Sequence, residues 1–92
     1  MGRRVLVVDD DEMSSHMIAG FLSRRGFRVT EARNGAQAMA RFLDDPADAV
    51  ITDVTMAGGD GNQLIQALRS RHGDLPIVVV TGREPKSEPE AI

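Results

Sequence analysis

Asp9 and Asp10 close the run VLVVDD and Asp53 closes AVITD, so three carboxylates stand where apolar, β-rich segments stop. Runs of this kind read as buried parallel strands. Acids at the carboxyl ends of such strands lie at the crevice where open α/β sheets bind ligands. Crowded carboxylates repel, which raises their pKa values unless a cation sits among them, so a divalent metal is the first explanation. Magnesium takes one or two carboxylates together with water and phosphate oxygens. An aspartate can also attack phosphorus to give an acyl phosphate. Thr81, which ends PIVVVT on the same edge, offers a hydroxyl to a phosphoryl oxygen.

Those residues need a frame to hold them. Arg4 to Val8 reads as a first strand, followed by a helix over Asp11 to Arg25 with Met13, Met17, Ile18, Phe21 and Leu22 on one apolar face. Gly26 is its stop, after two arginines suited to the negative helix end. Phe27 to Ala32 is a second strand. Asn34 and Gln37 form a capping-box-like pair for a second helix with Met39, Ala40, Phe42 and Leu43 as its stripe. Ala49 to Thr52 is the third strand, VTMAGGDG a glycine-rich loop, and Asp60 with Gln63 the cap of a third helix. Leu75 to Thr81 is the fourth strand. The tail from Gly82 is polar, and Glu88 to Ile92 reads as the start of a further helix. The order β-α-β-α-β-α-β with right-handed crossovers gives a doubly wound α/β domain with helices on both faces.

VLVVDDDE, ITDVTMAGGDG and PIVVVTG, in this order and spacing, resemble the receiver domain of two-component response regulators over nearly the whole chain. The resemblance implies a flavodoxin-like, CheY-like fold, whose full strand order is 2-1-3-4-5 and which here would run 2-1-3-4. It implies that Asp53 accepts phosphate from a histidine kinase or phosphotransfer protein, with Mg2+ as the cofactor. Asp10 then matches the direct metal ligand, Asp9 the second acid, and Thr55 the residue whose backbone carbonyl completes the metal shell. Thr81 matches the hydroxyl that moves to the phosphoryl group, and Thr55 and Arg83 the positions that tune dephosphorylation.

The chain also departs from that pattern. Ala57 follows Met56 where the family usually has proline, and Gly58-Gly59 loosen the loop. No counterpart of the family's lysine after strand five is present, since Lys86 lies too close to Thr81. The expectation is a single receiver domain over residues 1–92, C-terminally incomplete, lacking the fifth strand and last helix. Slow or unstable phosphorylation follows, because the lysine's charge normally stabilises the product. Strand four, Ile77 to Val80, then becomes an apolar edge that invites pairing with another copy.

Composition narrows the alternatives. The 92 residues suffice for one small domain. A net charge of −3 argues against a nucleic-acid surface, and the absence of cysteine excludes disulfides and thiolate metal sites. The N-terminus is neither a signal peptide nor a membrane span, which leaves a cytoplasmic address and no membrane contact. The competing readings are a phosphorylation-independent interaction module and a phosphatase of the haloacid-dehalogenase type. The phosphatase is weakened by Thr55, where that family has a second aspartate. A dinucleotide-binding domain is weaker still, because acids rather than glycines follow strand one. The chain is read as a signalling domain, not an enzyme. His16 is expected to face solvent without a catalytic part, and His72 to sit at a helix C-terminus.

Overall fold

The computed structural model describes residues 2–53 and 60–80. Strands β1 (Arg4–Val8), β2 (Arg28–Ala32), β3 (Ala49–Asp53) and β4 (Ile77–Val80) alternate with helices α1 (Glu12–Arg24), α2 (Gly35–Asp44) and α3 (Asp60–Arg71). All strand pairs are parallel, in the order β2-β1-β3-β4. The expected flavodoxin-like winding is therefore present, and Thr55, Thr81, Arg83, Lys86 and the tail lie outside the described residues.

Alternation along the strands divides the interior. Leu6, Val8, Ala32 and Val50 point to one face and pack with Ala38, Phe42, Leu64, Leu68 and Leu75. Glu31, in register with Val7, belongs to the opposite face, where its carboxylate meets Ser15 and His16 of α1. Thus α2 and α3 cover one side and α1 the other, as right-handed crossovers require.

The helix ends follow their local chemistry. Asp11 caps α1, its Oδ2 accepting from the Ser14 N–H at 3.1 Å and the Ser14 hydroxyl at 2.6 Å. Gly26 closes that helix at φ +96°, a conformation that side chains with a Cβ rarely adopt. Asn34 accepts from the Gln37 N–H at 2.8 Å, and the Gln37 side chain accepts from the Arg33 N–H at 2.9 Å. The capping pair therefore forms, with its return bond one residue before the cap.

Several expectations need correction. Met13 and Met17 are 71% and 68% exposed, Phe21 is half exposed, and Leu43 lies largely in solvent. The buried residues of α1 are Ser15 and Ala19, with Ile18 and Leu22 of the expected stripe partly buried beside them. Strand β2 begins at Arg28 rather than Phe27, and β4 at Ile77 rather than Leu75, which is buried just before it. His72 does end α3, but its ring also packs edge-on against Phe42, with centroids 4.9 Å apart.

Candidate metal centre

Strands β1 and β3 are neighbours, with Val8 in register with Thr52. Their carboxyl ends therefore emerge side by side and carry Asp9 and Asp53 out of the apolar interior together. Asp9 is 4% exposed and Asp53 2%, while Asp10, the next residue after Asp9, reaches solvent. One carboxylate oxygen from each of the three lies within 4.8 Å of the other two.

Hydrogen bonds fix part of this arrangement. The Asp9 backbone N–H donates to the Ala32 carbonyl at 3.0 Å, which ties the pocket to the end of β2. Asp9 Oδ1 accepts from the Asp11 N–H at 2.9 Å, so the turn into α1 also orients the carboxylate. Burial pushes the Asp9 carboxyl above its ordinary pKa; the bond from Asp11 opposes this, and the charges of Asp53, Asp10 and Asp11 add to it. The pocket holds like charges in a poorly solvated place, an arrangement that a cation relieves.

The donor set fits magnesium. All three candidates offer hard oxygen, and a magnesium–oxygen distance of about 2.1 Å puts opposite ligands of one ion about 4.2 Å apart. A spread of up to 4.8 Å therefore suits one ion that meets some of the carboxylates directly and the rest through water. The structure brings Asp9, Asp10 and Asp53 together as the sequence implied. Thr55, Thr81 and Arg83 fall outside the described residues.

A second polar cluster has no counterpart among the sequence expectations. Glu31 accepts from the Ser15 hydroxyl at 2.7 Å, lies 2.9 Å from His16 Nδ1 and 3.3 Å from Arg33 Nη2. His16 Nε2 is also 3.4 Å from Glu12. The Ser15 hydrogen bond, first among the causes, holds the Glu31 carboxyl below its ordinary pKa. The only sequence signal is a glutamate at an inward position of β2.

Comparison with known proteins agrees with this geometry. The response regulator receiver domain family matches residues 5–92. Response regulator MprA of Mycobacterium ulcerans is 40% identical over 88 residues, covering 96% of this chain and 38% of its own. The chain thus spans well under half the length of the curated relatives it matches. The chemotaxis response regulator CheY4 of Vibrio cholerae superposes with a TM-score of 0.80 at 30% identity, covering 99% of this chain and 80% of its own. A structure of the histidine kinase ThkA in complex with response regulator protein TrrA gives a TM-score of 0.79 at 30% identity over 87% of this chain and 69% of the matched one. With strand order, acid placement and sequence in agreement, this chain belongs to the response regulator receiver domain family.

Proposed function

We propose that this chain is the phosphoacceptor of a two-component relay and that Asp53 receives the phosphoryl group. The observation that carries the reading is the pairing of two buried acids, Asp53 at 2% and Asp9 at 4% exposure, with oxygens within 4.8 Å of one another and of Asp10. Asp53 is rigidly placed by a central strand. Its carboxylate oxygen attacks phosphorus, the bond from phosphorus to the donor imidazole nitrogen breaks, and that nitrogen keeps the electron pair. Asp9 and Asp10, with the Thr55 backbone carbonyl, are proposed to hold Mg2+ beside Asp53. When bound, that ion supplies neutralisation of the negative charge gathered by the carboxylates and the incoming phosphoryl oxygens. Thr81 is proposed to donate its hydroxyl to a phosphoryl oxygen, and Thr55 and Arg83 to set the rate of hydrolysis.

The donor is proposed to be a histidine kinase or phosphotransfer protein, a partner class supported by the ThkA–TrrA complex among the structural neighbours. A relay of this kind works in the cytoplasm, with the chain as a signalling domain rather than an enzyme with a released product. No helix among the described residues is long and apolar enough to cross a membrane. A module that binds partners without phosphorylation is not favoured, because all three acids are in place. The outer edge of β4 is a further proposed contact: Val78 and Val79 are about half exposed, and among the described residues β4 pairs with β3 alone.

Incubation with acetyl phosphate and magnesium, followed by intact mass, tests the reading. The wild-type chain should gain one phosphoryl group, slowly or with a short lifetime and so read over a time course, and Asp53→Asn none. Equal labelling of the variant, or no labelling of the wild type, contradicts it.

A further inference from the structure

The end of the sheet opposite the acid pocket carries two zones of opposite charge. Where β1 and β2 begin and α1 ends, Arg3, Arg24, Arg25 and Arg28 are all exposed, and none makes an ion pair among the described residues. The backbone gathers them: the Arg28 N–H donates to the Arg3 carbonyl at 2.9 Å, and Arg4 and Arg28 are in register. The Arg25 guanidinium lies 4.4 Å from the centre of the Phe21 ring, which gives the zone an apolar footing.

The other zone lies where α2 and α3 end and β3 and β4 begin. Here a hollow of about 510 Å³ is lined by Phe42, Pro46, Asp48, His72, Asp74 and Pro76 among others, with Asp44 exposed at the end of the adjoining α2. Its walls are pinned. Arg69 Nη1 donates to the Gly73 carbonyl at 3.2 Å and the Leu75 carbonyl at 2.8 Å. Asp48 accepts from the Arg4 N–H at 2.8 Å, and Asp45 pairs with Arg4 at 3.1 Å. Pre-set walls lower the ordering cost of an incoming group. Carboxylates at such a hollow suit a guanidinium. Arg71 lines the hollow, Arg69 is bonded to its wall and Arg4 holds Asp45, so Asp44, Asp45, Asp48 and Asp74 outweigh these arginines by one charge.

One surface that carries both a basic zone and an acidic hollow meets the requirement for a two-fold contact, in which each copy offers the same patch. We propose that a second copy of this chain docks here, Arg24, Arg25 and Arg28 of each copy meeting Asp44, Asp48 and Asp74 at the hollow of the other. The charges are exposed, so the association is weak and screened by salt. It leaves the acid pocket at the far end open to a phosphate donor. It does not depend on Asp53 chemistry, and it differs from pairing along the β4 edge, where backbone hydrogen bonds and valines make association insensitive to salt.

Sedimentation equilibrium of the full chain, at roughly 20 mM and roughly 300 mM salt, tests this. The dimer constant should weaken about tenfold or more across that range. Arg24→Glu/Arg25→Glu/Arg28→Glu should be monomeric at low salt, as should Asp44→Lys/Asp74→Lys. An equal mixture of the two should dimerise again, because each now offers what the other lacks; that rescue also shows both variants to be folded. A wild type that stays monomeric, assembly that grows past two copies, association indifferent to salt or to both reversals, or no rescue on mixing each overturns the proposal.

Discussion

The two ends of this sheet treat charge in opposite ways. At the carboxyl end, like charges are crowded and two of the three are nearly sealed from water. At the amino end, opposite charges are spread over the surface and stay hydrated. The first arrangement raises the free energy of the empty fold and becomes favourable only when a cation or a proton arrives. The second costs the fold little and acts through contact. A buried cluster of one sign is thus a stronger pointer to a ligand than a larger number of exposed charges, because desolvation is the large term and surface pairing the small one.

This contrast between the ends can be challenged at several positions. The largest effect expected away from the acids is at Phe42, 3% exposed and packed on His72. Phe42→Ala should lose about 3–5 kcal/mol in urea unfolding, because it empties the core that braces the amino end. A loss below about 1 kcal/mol would show that this end is not tied to the core.

The two ends themselves are contrasted by Asp9→Asn and Asp44→Asn. Asp9 is held above its ordinary pKa chiefly by burial. Its ionised form is therefore disfavoured in the fold, and neutralising it should stabilise the metal-free chain at neutral pH. Asp44 is exposed, and its replacement should stay within about 0.5 kcal/mol. Chemical unfolding in chelator measures both; equal effects would erase the distinction between the ends.

Much of the carboxyl end is legible in the sequence because strand alternation and the position of an acid after an apolar run are local features. VLVVDD and AVITD announce both a buried strand and the atom that leaves it. Helix α1 departs from its apolar pattern only in part: Ile18 and Leu22 of the stripe are partly buried beside Ser15 and Ala19 while Met13 and Met17 stay exposed, because periodicity ranks a face by apolar content and does not say which neighbours cover it. The Glu31 cluster is illegible because it depends on how α1 sits over β2. The opposed zones at the amino end are equally hidden as a pair. In the sequence two of the arginines stand only as a helix end, and the aspartates that oppose the basic zone come from the loop before β3 and the turn before β4.

Two further effects are smaller. Thr52, fully buried beside Asp53, has an Oγ1 with no hydrogen-bond partner among the described residues. Thr52→Val keeps the shape and removes that group, so thermal unfolding should show a gain of about 1 kcal/mol. A loss instead would reveal a partner for the hydroxyl.

Glu31 provides the smallest effect. Its carboxyl is held below its ordinary value, so its contribution is present above the unfolded pKa of about 4.3 and fades as pH falls through the lower folded value. Glu31→Gln should be less stable than wild type at neutral pH, and the gap should narrow on acidification through about pH 4. A gap that is constant with pH would mean that the glutamate charge contributes nothing.

The most direct test of the acid pocket is thermal unfolding against magnesium, from chelator to roughly 10 mM at constant ionic strength, for the wild type, Asp9→Asn and Asp53→Asn. The melting temperature of the wild type should climb with magnesium, and that of either variant much less. A flat wild-type curve, or the same climb in all three proteins, would contradict a metal held by these acids.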